Sequence, residues 1–161
     1  MSLKLFNSCL YSETIKVHKN IDVTFFVNGH LMGAAIILVQ IKYPGSEDIN
    51  LLFTGDYNNK NMFFDVLDLP DWVLELPLIV IQESTYGDMD SSEIVPCFEQ
   101  NVSECIKNQG TVIAPVFSLG RAQEVLYVLK GMQEKQLIDY NVPIYLDGKL
   151  AIKYTNLYLN G

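Results

Sequence analysis

The stretch Phe53 to Asn59 reads FTGDYNN, an apolar run that stops at Thr-Gly-Asp, and Asp56 at that stop has two readings. Gly and Asp both suit tight turns, so Asp56 is either a turn former or a carboxylate held out towards a metal ion. His30 lies between two glycines in VNGHLMGAA, just ahead of a second apolar run. It is either a hydrogen-bonded structural imidazole or a ligand. Glu83 follows the apolar run LIVIQ and precedes Ser84, Thr85 and Gly87. An acid there serves as a helix-cap partner or as a catalyst, since the C-terminal ends of strands are where ligands collect in open α/β sheets.

A second kind of chemistry is written in PVFSLGRAQEVLYVL. Ser118 suits an N-cap, Gly120 lets the backbone approach a ligand closely, and Arg121 falls in the first helical turn. Free N–H groups beside a guanidinium suit an anion such as phosphate. The competing reading is a capped core helix, because Ala122, Val125, Leu126 and Leu129 form an apolar face. YLDGKLAIKY repeats the pattern with Asp147, Gly148, Lys149 and Lys153, where a turn with solvated lysines accounts for the residues.

The elements that must carry these residues divide into two styles. Ile21 to Val27, Ala34 to Lys42 and Asn50 to Thr54 are rich in β-branched and aromatic residues, and YPGSED between the last two is turn chemistry. Three such strands in succession predict an antiparallel meander. The region around LPDWVLELP carries no assignable pattern, and Leu78 to Gln82 reads as a buried strand. Thereafter the expectation is a helix over Val95 to Asn108 closed by Gly110, a strand over Thr111 to Val116, a helix over Gly120 to Lys135, a strand over Pro143 to Leu146 and a helix over Leu150 to Leu159. Strand and helix in alternation predict a parallel β-α-β-α-β-α portion, so the fold class is α/β. The chain shows no internal repeat, low-complexity segment or obvious linker.

Composition bounds the function. With 161 residues, 49% of them hydrophobic and 11% aromatic, the chain is about one ordinary domain with a proper core. Its apolar runs are too short to span a bilayer and its start lacks a secretory signal, so a soluble, cytoplasmic protein is expected. Three cysteines, Cys9, Cys97 and Cys105, with no CxxC suggest neither a disulfide framework nor a thiolate zinc site. A net charge of −8 argues against gripping nucleic acid by bulk electrostatics. It leaves room for an enzyme that meets phosphate with metal ions and a few placed cations.

Taken in order, NGHLMGAA, FTGDYN, IQESTYG, PVFSLGRAQEVLYVL and IYLDGKLA resemble the β-CASP branch of the metallo-β-lactamase superfamily. This branch comprises RNA-processing nucleases, among them the polyadenylation and Integrator endonucleases and their bacterial and archaeal relatives. The resemblance runs from about Ile21 to Tyr158; its glycine-flanked histidine and its Thr-Gly-Asp are widely shared, whereas ESTYG followed by PVFSLGRAQE is much narrower. It implies the C-proximal part of a metallo-β-lactamase domain over residues 1–83, with antiparallel strands, and the first part of a β-CASP domain over 84–161. It further implies that His30 is a zinc ligand, that Asp56 bridges two zinc ions, and that Glu83 lies behind them, orienting a histidine or the leaving group. Imidazole and carboxylate suit Zn²⁺, and two ions sharing an oxygen can activate water and neutralise a phosphodiester. The implied substrate is single-stranded RNA, with a processing-complex partner or a homo-oligomer as company; in a eukaryote the implied location is nuclear.

The chain departs from that pattern in two places. The upstream His-x-His-x-Asp-His signature and the later β-CASP histidines are missing, and the other histidine, His18, is flanked by lysine and expected to be exposed. The expectation is therefore an excerpt of a zinc-dependent RNA phosphodiester hydrolase, inactive in isolation. The alternatives are a catalytically dead scaffold that binds RNA or proteins, and another metal-dependent hydrolase of the superfamily, which PVFSLGRAQE argues against.

Overall fold

The computed structural model describes residues 6–85, 87 and 92–160, which form two compact units, Met1–Gly87 and Asp88–Gly161. The first unit is a five-stranded sheet in sequence order: β1 (Thr14–His18), β2 (Ile21–Val27), β3 (Ala35–Ile41), β4 (Ile49–Phe53) and β5 (Leu78–Ile81). The first three ladders are antiparallel and β4 pairs with β5 in parallel.

Alternation sets the register. Thr24 faces Leu38, and Leu38 faces Leu52, placing these three buried residues in one cross-strand row. With Phe26 and Val73 the apolar members of that row form the core, and Ile36, Leu69, Leu76 and Leu78 pack against it. Val73 comes from α1 (Asp71–Leu74), a single turn entered through Pro70, and Trp72 of that turn meets the Phe26 ring at 6.1 Å between centroids. Thr24 is polar within this face, and its hydroxyl is satisfied by that of Thr14 at 2.9 Å across β1 and β2.

The second unit contains α2 (Ile94–Lys107), α3 (Arg121–Glu134) and α4 (Lys149–Asn160). Val102, Met132 and Ile138 are its buried cluster, with Phe98, Ile106, Val128 and Leu129 packed around them. The helix expected to close on Gly110 is capped by Asn108, and the left-handed residue is Gln109, at φ 57°. Gly110 donates its N–H to Cys105 O and Gln109 donates to Ile106 O, the two bonds of a Schellman turn. Gln136, at φ 58°, closes α3 in the same manner, with Leu137 N–H donating to Met132 O.

Two strand expectations fail. Thr111–Val116 and Pro143–Leu146 join no ladder among the described residues, so the anticipated β-α-β-α-β-α sheet is replaced by three helices joined by unpaired segments. A strand is defined by its partner, and these segments have none to hold their apolar side chains: Ile113 and Tyr145 are 85% and 87% exposed. The one parallel ladder among the described residues lies instead between β4 and β5. The sequence also did not reveal β1, whose short TIKVH carries mostly polar, exposed positions, or α1, which is too short for a helical period.

Leu38 is fully buried, so Leu38→Ala removes core volume that its neighbours can only partly refill. The variant is expected to lose about 2–5 kcal/mol of unfolding free energy. Ile79→Ala, on the exposed β5, is expected to change it by roughly 0.5 kcal/mol or less. Urea titration of the two variants measures the difference.

Candidate active site

The direction of the strands places the candidate residues. β2 and β4 each run antiparallel to β3, and β5 runs parallel to β4, so β2, β4 and β5 all point the same way. His30, Asp56 and Glu83 each follow the C-terminal end of one of these strands, by three, three and two residues. The three residues expected to act together are therefore on neighbouring loops at one end of the sheet. His30 and Glu83 are half-buried and Asp56 is exposed.

Two buried polar side chains that the sequence did not single out tie these loops together. Asn28, 3% exposed, donates through Nδ2 to Thr54 O at 3.2 Å and to Asp56 O at 3.0 Å, while its Oδ1 accepts the His30 N–H at 3.0 Å. Thr54, also buried, accepts the Glu83 N–H on its hydroxyl at 3.3 Å. The His30 and Asp56 loops are further pressed together where Asn58 N–H donates to Asn28 O and Asn61 Nδ2 donates to Gly29 O, both at 2.9 Å. Gly29 is required at this closure: its φ is +73°, and a Cβ there would sit 2.2 Å from Asn58 O. The signal for Asn28 was present as Asn-Gly, but that pair reads first as a turn.

Glu83 is held as an anion. The Thr85 N–H and hydroxyl bond its carboxylate, and the Tyr57 N–H and the charge of His30 act in the same direction, holding its pKa below the usual carboxylate range against a smaller opposing effect of burial. The Tyr57 contact joins Glu83 to the loop of Asp56, and Gln82 Nε2 donates to the Tyr57 hydroxyl at 2.9 Å beside it. Tyr86, the remaining side chain of the ESTYG motif, lies outside the described residues.

Ser118, Gly120 and Arg121 belong to the second unit. The N-cap of α3 is Gly120, at φ 80°, and Ser118 makes no cap bond. The N–H groups expected to be free are occupied: Gly120 donates to Gln123 Oε1 at 2.7 Å, Arg121 to Leu119 O at 3.1 Å and Ala122 to Phe117 O at 3.1 Å. The Arg121 guanidinium is exposed but paired with Glu124 in the same first turn of α3. Buried Gln123 organises this start, donating to Ser118 O and, from α3 to α4, to the Thr155 hydroxyl at 2.8 Å.

His30 and Asp56 suit zinc in kind. In number they fall short, because no group of three or more His, Cys, Asp or Glu residues placed to hold a metal ion occurs among the described residues. A tetrahedral zinc needs about four ligands, so these residues do not by themselves close a coordination sphere.

A mixed sheet carrying an acid, a histidine and a second acid at the ends of co-directional strands, followed by a helical unit, is consistent with a metallo-β-lactamase-like α/β protein. Comparison with known proteins defines the relationship further. An RNase J-like protein of Methanocaldococcus jannaschii is 35% identical over 159 residues, covering 94% of this chain and 35% of that protein. Endoribonuclease ysh1 of Schizosaccharomyces pombe is 35% identical over 150 residues, covering 89% of this chain and 18% of that protein. An Integrator complex subunit 11 homolog of Dictyostelium discoideum is 32% identical over 155 residues, covering 92% and 20% respectively. No family model matches the chain. The chain is a homologue of the β-CASP metallo-β-lactamase nucleases, and it spans 35% or less of the length of these relatives.

Because the bonds to Glu83 favour its ionised form, its folded pKa is depressed and the stability it contributes is present above the unfolded pKa and lost as pH falls through the folded one. Carbon-detected NMR titration is expected to place the Glu83 carboxyl below an ordinary glutamate, and Thr85→Ala, which removes the hydroxyl bond, to move it upwards.

Proposed function

We propose that this chain is part of a zinc-dependent RNA phosphodiester hydrolase, contributing His30 and Asp56 to a metal centre completed by ligands outside it, with Glu83 behind them. The observation that carries this reading is the convergence of the three residues at one end of the sheet, tied through Asn28 and Thr54. Kinship with endoribonucleases supports RNA as the substrate. Bound zinc would supply water activation and charge neutralisation at the scissile phosphate. The chain's own residues have narrower tasks. Asp56, exposed beside the stapled loop, has a carboxylate open to a ligand. Glu83, kept anionic and fixed by Thr85 and Tyr57, can orient a neighbouring imidazole or the leaving group. Arg121 would meet a substrate phosphate once it exchanges Glu124 for that anion. Relatives named as Integrator and cleavage-and-polyadenylation subunits support a processing complex as the setting.

One observation favours a second reading. The described residues hold no three-donor group, which suits a scaffold that binds RNA without cutting it.

The 161-residue chain alone is expected to retain no tightly bound pair of zinc ions after dialysis and to leave a labelled RNA intact. In the full-length protein, Asp56→Ala is expected to lower cleavage by about 100-fold or more. Two retained zinc ions per isolated chain would contradict the partial site. A full-length protein that binds RNA and never cuts it would establish the scaffold.

Arg121→Ala in the same protein is expected to weaken RNA binding and to reduce the salt dependence of affinity by about one phosphate contact. Binding measured across a salt series decides this, and an unchanged slope removes Arg121 from the substrate path.

A further inference from the structure

We infer that Asn28 is a positioning residue, setting the separation and orientation of the His30 and Asp56 loops; this rests on the functional reading above. Its amide orientation is unambiguous, because two carbonyl oxygens can only accept and the His30 N–H can only donate. Nδ2 therefore faces Thr54 and Asp56, and Oδ1 faces His30. No other side chain of that length meets the demand. Aspartate cannot donate to the two carbonyls, leucine can do neither, and glutamine carries the amide one methylene too far. The amide is buried, so water does not compete for these bonds, and each lost partner would leave a desolvated polar group behind.

The position is enforced from behind as well. Asn28 O accepts the Asn58 N–H, and Gly29 leaves no room for a Cβ against Asn58 O, so the two loops approach as closely as backbones allow. Asn28 also contacts Thr54, whose hydroxyl holds the Glu83 N–H. One buried amide thus links the backbone of His30 and Asp56 directly, and reaches Glu83 only through the neighbouring Thr54. A group of this kind acts on the geometry of the reacting side chains, so its loss should appear in turnover and not in substrate affinity.

The test uses the full-length protein with Asn28→Ala, Asn28→Asp and, as control, Asp56→Ala. Asn28→Ala is expected to lower kcat by about 10–100-fold with KM for RNA within about two-fold of the parent. It should also speed amide hydrogen exchange at His30 at least about ten-fold, with exchange at Leu38 in the core unaltered. Asn28→Asp keeps the acceptor for His30 and loses the donor to Thr54 and Asp56, so the His30 amide should remain protected while kcat still falls. That variant carries the test if the alanine does not fold. Unchanged kcat and unchanged His30 exchange overturn the role of Asn28 while Asp56→Ala remains inactive. If Asp56→Ala is itself fully active, the catalytic reading fails, and with it the positioning role.

Discussion

The placing of the candidate site depends on the register of β3 between its two neighbours. Leu38 stands opposite Thr24 on one side and Leu52 on the other, and all three are buried. A shift of one residue would turn this row to solvent and bring the intervening positions inward, which the apolar face of Phe26, Leu38 and Leu52 opposes. The same register fixes where β2, β4 and β5 end, and His30, Asp56 and Glu83 are read off those ends. Burial of a few apolar side chains therefore determines the distance between polar ones that belong to separate loops. The polar contacts then refine what the core has placed roughly: Asn28 and Thr54 act over 3.0–3.3 Å on loops already brought alongside.

How much of this was legible follows from the kind of information each residue carries. β2, β3, β4 and β5 were readable because continuous β-branched and aromatic runs have few other uses, and the three long helices because their apolar faces repeat over several turns. His30, Asp56 and Glu83 were readable as positions at strand ends, although each had an ordinary structural use as well. Asn28 and Thr54 were not, because their function is to bond main-chain groups remote in sequence, and Asn-Gly or a strand-terminal Thr has a sufficient local explanation. Gln109 and Gln136 illustrate the same limit: both occupy the left-handed region that glycine usually fills, and the neighbouring Gly110 drew the helix end one residue too far. At Gly110 the constraint is close approach, since a Cβ there would meet Cys105 Sγ at 2.6 Å.

The unpaired segments over 111–116 and 143–146 failed for a different reason. Their composition expresses a local preference for extended backbone, but pairing is a property of two segments at once, and neither segment carries a ladder among the described residues. Exposed Ile113 and Tyr145 retain the apolar character of strands without the ladder that would bury it. In the first unit β5 gained a partner through its parallel ladder with β4, while Ile79, Val80 and Ile81 stay exposed. A local preference for strand thus became a strand only where a neighbouring strand supplied the other half.

Charge bears on the proposed reaction more directly than fold does. The chain carries 19 acidic and 11 basic residues, and its candidate site consists of two carboxylates and one imidazole. A phosphodiester brought to such a site meets two like charges. Of the basic residues, Arg121 is paired with Glu124, Lys42 with Asp22, Lys135 with Glu99 and Lys130 with Glu134, so several of the cations are already engaged. These are exposed pairs worth little individually, and a phosphate could displace them, but they cannot supply a net positive field. Hydrolysis of RNA at this end of the sheet therefore requires positive charge from elsewhere, and divalent ions at Asp56 and His30 would supply it where the bond breaks. The bonding of Glu83 fits the same reasoning: an anion near the Asp56 carboxylate and a substrate phosphate would need local stabilisation, and the Thr85 and Tyr57 amides supply it without adding a mobile charge.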